Sequence, residues 1–171
     1  MDLKPYKLKK KFITNDEVNQ IVNWIDSVNH DGNDSNYHLT ELSKVLNGKS
    51  FIFDISNTPL TNYITKFQSI SDVSHEPLPN FIYDIIDRIS QELNFPKDNI
   101  FLQAVDMNKG GKINPHYDAS LDGYVNSKCN ISVLSDDYDL FLDKDKIEIQ
   151  ETDLYGFEAS LYKHWTNEFN S

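Results

Sequence analysis

The chain has 171 residues, 39% of them hydrophobic and 12% aromatic, with a formal charge of −11. That length and apolar content suit one folded domain with its own core and exclude a disordered chain. The acidic balance argues against extended duplex nucleic acid as a partner, and no apolar run is long enough for a membrane-spanning helix or a signal-peptide core. Cys129 is the sole cysteine, so no internal disulfide forms, and the expected location is a reducing cytoplasm rather than the secreted space. A lone cysteine reads as a small core residue.

In chain order, the basic stretch "KPYKLKKK", residues 4–11, reads as a solvated arm. Residues 13–29 read as a helix: Thr14 and Glu17 make a capping-box pair, and Val18, Ile21, Val22, Ile25 and Val28 recur on one face. "HDGNDSN", residues 30–36, is a polar loop, and "FIFDI", residues 51–55, a short strand with Pro59 beyond it. A second helix is expected over residues 77–95, with Ile82, Ile85, Ile86, Ile89 and Leu93 as its apolar stripe and Arg88 facing water.

After residue 96 the pattern changes to short alternating runs: "NIFLQAV", "CNISVL", "YDLFL", "KIEIQ", "DLYGFEA" and "LYKHW". Two helices followed by closely spaced strands predict a mainly β, α+β fold, in which helices buttress an antiparallel sheet or a sandwich. No repeat or linker divides the chain. The expectation is a single domain over 1–171, helical to about residue 96 and β-rich from about residue 97.

The chemistry concentrates in "GGKINPHYDASLDGY", residues 110–124. A His-x-acid match is weak by itself, since five His and 27 acidic residues in 171 give roughly 0.8 such matches by chance. In an extended segment, however, residues i and i+2 project the same way, so His116 and Asp118 can meet at one point. His164, in "SLYKHWTN", is the third candidate ligand. Two His and one carboxylate leave three positions open, as non-haem Fe(II) oxygen chemistry requires; zinc with a bound water is the alternative. His30, His38 and His75 lack any motif and read as surface residues.

With these residues in place, the run from Pro77 to Trp165 resembles the Fe(II)- and 2-oxoglutarate-dependent oxygenases. A helix before a strand, glycine ahead of the His-x-Asp pair in "MNKGGKINPHYD", the strand-like "NISVLSDDYDLFL", and an acidic turn leading to the distal histidine in "IEIQETDLYGFEASLYKHW" follow one another in that family's order. The helix-to-motif portion looks most like the AlkB-like branch, which demethylates nucleic acids oxidatively. The resemblance implies a double-stranded β-helix of jelly-roll type buttressed by the N-terminal helices. It also implies iron ligands at His116, Asp118 and His164, with 2-oxoglutarate and O₂ as co-substrates.

Two departures stand out. Where the AlkB-type pattern has co-substrate-binding Asn and Tyr, this chain has Val105 and Met107. The arginine that usually follows the distal histidine is missing, because the sequence ends at Ser171; either the last strand lies beyond it or another group serves. Lys128 is the expected substitute anchor, with Asn130 and Ser132 on the same strand parity. Lys163, next to His164, points the other way. Tyr117, Tyr124, Tyr155 and Trp165 are candidate substrate contacts, and Gly110 and Gly111 form either a ligand cradle or a turn. The substrate is left open among a small molecule, a nucleobase and a protein side chain. The competing reading is a jelly-roll interaction module that has lost co-substrate binding. A zinc hydrolase fits the ligands but lacks a general base placed by motif.

Overall fold

The structure, a computed structural model, describes residues 4–28, 45–53, 72–74, 76–95, 102–118 and 127–170, with backbone alone for 45–52 and 72–74. The loop at 30–36, His30, His38, His75, Pro59 and Tyr124 lie outside these residues. The chain divides into two compact units, Met1–Asp26 with Lys109–Ser171, and Ser27–Asn108.

In the first unit, helix α1 spans Asn15–Ser27. Its start is written in the expected capping box. Glu17 N donates to Thr14 Oγ1 and Thr14 N to Glu17 Oε1, both at 3.1 Å, which satisfies two backbone donors left over at the helix start. Val18 and Ile21 are the buried part of its stripe.

Among the described residues, two three-stranded sheets complete this unit. One has the order β1-β8-β5, formed by Tyr6–Lys9, Leu154–Glu158 and Ser127–Ile131. The other has the order β7-β6-β9, formed by Asp145–Ile149, Tyr138–Leu142 and His164–Thr166. Every pairing in both is antiparallel. Period-two alternation builds the core between them: Tyr138, Leu140 and Leu142 of β6, Ile147 and Ile149 of β7, and Tyr155 and Phe157 of β8 form one buried cluster. Each fully buried side chain of this size contributes about 1.5–3 kcal/mol.

The arm reading of residues 4–11 is corrected. Tyr6–Lys9 is strand β1, paired with β8 from Tyr6↔Phe157 to Lys9↔Leu154. Tyr6 packs against the core cluster, while Lys7 and Lys9 are exposed, an arrangement that also protects a sheet edge from further pairing. Asp153 ties the end of this strand down. It is 1% exposed and accepts from Lys10 Nζ, from Lys11 N at 3.2 Å and from Gln150 N at 2.8 Å. Beside it Thr152 has φ +74°, uncommon for a β-branched residue. Its backbone holds that shape by donating to Ser132 O and accepting from Phe12 N and Ile13 N.

The second unit contains strand β2 (Val45–Phe53), strand β3 (Asp72–Ser74) and helix α2 (Asn80–Leu93). β2 pairs with β3 in parallel, contrary to an all-antiparallel expectation. Strand β4, Leu102–Ile113, completes the order β3-β2-β4 and continues into the first unit. α2 buries Ile82, Ile85 and Leu93 and ends at Asn94 in the left-handed conformation (φ 56°), which Asn tolerates better than most residues. Arg88 is half-buried and engaged with neighbouring groups rather than free in water.

Candidate metal centre

β4 does not stop at the glycines: it runs through them to Ile113, and after a bend at Pro115 the chain bridges again at His116 and reaches Asp118. The segment is hydrogen-bonded, backbone to backbone, to the C-terminal end of the chain at two points. His116 and His164 exchange both backbone hydrogen bonds, at 3.1 and 3.0 Å. Six residues before His116, Gly110 N donates to Phe169 O at 2.7 Å, and Phe169 N donates to Gly111 O at 2.8 Å. Gly110 sits at φ +79°, which glycine adopts without strain. The glycine pair therefore lets the C-terminal segment lie alongside β4.

Directly paired residues of an antiparallel ladder project to the same face. His116 and His164 accordingly have ring centroids 4.2 Å apart, and Leu142, opposite His164 on β6, is fully buried beside them. Asp118, two residues past His116, joins them, its backbone N donating to Ala159 O at 3.0 Å. Asp118 Oδ1 is 3.0 Å from His116 Nε2 and 3.4 Å from His164 Nε2.

The outer nitrogens fix the rings. His116 Nδ1 lies 2.6 Å from Asn114 O, and His164 Nδ1 lies 2.9 Å from Tyr162 O. A carbonyl only accepts, so both Nδ1 atoms carry the proton, and in the neutral ring both Nε2 atoms present lone pairs. Two lone pairs and a carboxylate oxygen aimed at one point repel unless a cation lies between them. His164, 3% exposed, has an Nε2 with no hydrogen-bond partner among the described residues, the atom a metal would satisfy. One ligand atom from each residue falls within 4.8 Å of the others. Ligand atoms held about 2.1 Å from one ion stand about 3.0 Å apart in octahedral geometry and about 3.4 Å in tetrahedral, and the two spacings from Asp118 Oδ1 to the imidazoles, 3.0 and 3.4 Å, fall in that range. The residues fit a divalent metal.

Burial alone would raise the Asp118 carboxyl, but the polar groups packed against it, with the Lys128 ammonium as the fixed positive charge, outweigh it. They hold the group well below the usual carboxylate range, so it is ionised and ready to ligate. The Lys128 ammonium is 3.0 Å from Asp118 Oδ2. The shared parity of Lys128, Asn130 and Ser132 shows in their contacts. Asn130 Nδ2 donates to the Tyr155 hydroxyl at 3.0 Å, and that hydroxyl is 3.1 Å from the Tyr138 hydroxyl. Ser132 meets Ser135 Oγ at 2.6 Å and also reaches Tyr138. Burial pushes both phenols up, so they are neutral hydrogen-bonding groups.

Other candidates sort differently. Tyr117 is 53% exposed, Tyr155 is buried, and Trp165 stacks on Phe141 at 5.3 Å. Lys163 is exposed. Phe157, not singled out from sequence, packs its edge on His164 at 4.8 Å; the alternation of "LYGFE" was the available signal, since it sets Tyr155 and Phe157 on one face.

No family model matches the sequence, and no curated protein matches it. The fold does have a counterpart. A crystal structure of a Pseudomonas putida prolyl-4-hydroxylase superposes with a TM-score of 0.56 at 11% identity, over 98% of this chain and 86% of that one. The chain shares the fold of a prolyl-4-hydroxylase. Two antiparallel sheets around one core, with two helices among the described residues, are the jelly-roll-like part of that likeness. Among the described residues no helix is long and apolar enough to cross a membrane.

Proposed function

We propose that the chain is an Fe(II)- and 2-oxoglutarate-dependent oxygenase on a double-stranded β-helix, with His116, Asp118 and His164 as the iron ligands. The observation that carries this reading is the convergence of two tautomer-fixed imidazoles and one ionised carboxylate on a single point. Bound iron would supply O₂ activation coupled to decarboxylation of 2-oxoglutarate, one oxygen atom entering succinate and the other a substrate C–H bond. The chain's own share is binding, orientation and exclusion of water.

Charge supports the choice of co-substrate. A divalent ion and the Lys128 ammonium against one Asp118 carboxylate leave a net charge of +2, which a dianionic keto-acid neutralises. Asn130, Tyr155, Tyr138 and Ser132 place hydrogen-bonding groups on an otherwise apolar interior wall. Lys128 supplies the positive charge on that wall.

For the substrate, likeness to a prolyl-4-hydroxylase favours a prolyl or other protein side chain. Val105 and Met107 offer none of the hydrogen bonds of the AlkB-type pattern, and no structural observation favours a nucleobase. The interaction-module reading is separated by turnover. Iron-dependent succinate formation from 2-oxoglutarate should be measured with wild type and His116→Ala. Loss of succinate in the variant, with the fold retained by circular dichroism, is expected; wild-type rates in His116→Ala would refute the ligand assignment.

A further inference from the structure

We propose that Lys128 is a positioning residue that keeps Asp118 a one-oxygen ligand, so that the metal centre retains three open positions. This rests on reading His116, Asp118 and His164 as a metal centre. The two oxygens of Asp118 face different partners: Oδ1 faces the two imidazole nitrogens, and Oδ2 lies 3.0 Å from Lys128 Nζ. A carboxylate free at both oxygens can chelate a divalent ion through both, which fills one of the positions that oxygen chemistry needs.

The placement of the ammonium follows from the sheet. β5 sets Lys128 opposite Phe157 on β8, and Phe157 packs its ring edge against His164. The lysine thus emerges from the wall that supports the distal histidine. Its side chain is 30% exposed and that of Asp118 11%, so neither charge is freely hydrated and the pairing persists. An ammonium has three donors and no preferred plane. One donor to Oδ2 leaves two for an incoming anion, so this role is compatible with charge donation to a co-substrate.

The test uses Mn(II) and the full chain without co-substrate, comparing wild type, Lys128→Met and Lys128→Arg. The readouts are Mn(II) affinity and the number of metal-bound waters, counted from broadening of the Mn(II) resonance by ¹⁷O-labelled water. Wild type is expected to hold three waters, one at each open position. Lys128→Met should hold two, because Oδ2 joins the ion. It should also bind Mn(II) about tenfold or more tightly, since a repelling charge is gone. Lys128→Arg, which keeps charge and donors, should return the count to three. Three waters in Lys128→Met overturn the proposal, whether affinity is unchanged or weaker. His116→Ala and His164→Ala serve as the separate check on the underlying reading. If they bind Mn(II) as wild type does, the metal centre itself is wrong; if they lose it while Lys128→Met keeps three waters, only the role of Lys128 fails.

Discussion

Asp153 should be among the most sensitive polar positions outside the metal centre, and Asp153→Ala measures how firmly β1 is held to the sheet. The carboxylate is 1% exposed and accepts from two backbone N–H groups and from Lys10. Hydrogen bonds to a charged acceptor contribute about 1.5–3 kcal/mol each, and exposed Lys11 and Gln150 can recover water, so the lower figure applies to both. Lys10 is 47% exposed, so its ion pair adds no more than about 1 kcal/mol. Relief from burying a charge offsets part of the total. The net loss is about 3 kcal/mol, which lowers Tm by roughly 6–12 °C for a chain of this size. Asp153→Asn, retaining one acceptor oxygen, should lose about half as much. Urea unfolding gives both values, and hydrogen exchange at the amides of Tyr6–Lys9 should accelerate in step. A loss below about 0.5 kcal/mol for Asp153→Ala, with β1 protection unchanged, would refute the reasoning.

Two further outcomes follow from local geometry. Thr14→Ala removes half of a reciprocal cap and should cost about 1 kcal/mol in urea unfolding, with most of it restored by Thr14→Ser. Burial pushes the Cys129 thiol up to about 12, a rise that Lys7 only partly opposes. Alkylation at pH 8 should then be at least about a hundredfold slower in the folded protein than in urea. Because folding disfavours the thiolate, this group withdraws stability as pH rises above its ordinary 9.0.

Much of the candidate site was legible from spacing. The spacing of two between His116 and Asp118 was the local signal for those two ligands, whereas His164 joins them through a pairing with His116 that only the fold supplies. Lys128 and Asn130 followed by the same parity. The start of the first helix was legible too, since Thr14 with Glu17 marks it, while the second begins at Asn80 rather than residue 77. The remainder depends on contacts distant in sequence. β1 was hidden because its outward lysines look like a solvated arm, and only its partner β8 shows that Tyr6 points inward. The glycine pair read equally well as a turn or a cradle; it lies inside β4, where Gly110 takes a positive φ and the pair exchanges backbone hydrogen bonds with Phe169. That Lys128 is already paired with Asp118 could not be read from parity, which gives a direction and not a partner. The parallel β2–β3 pairing carries no local signal, because register and direction come from the partner strand.

The proposed function requires the two imidazoles and Asp118 to hold iron in a form that a keto-acid can chelate. The most direct measurement is an anaerobic titration of the protein with Fe(II) and then 2-oxoglutarate, followed in the visible range. A charge-transfer band that requires protein, Fe(II) and 2-oxoglutarate together, and disappears in His164→Ala, is the predicted result. Iron bound by wild type with no band at saturating 2-oxoglutarate would contradict it.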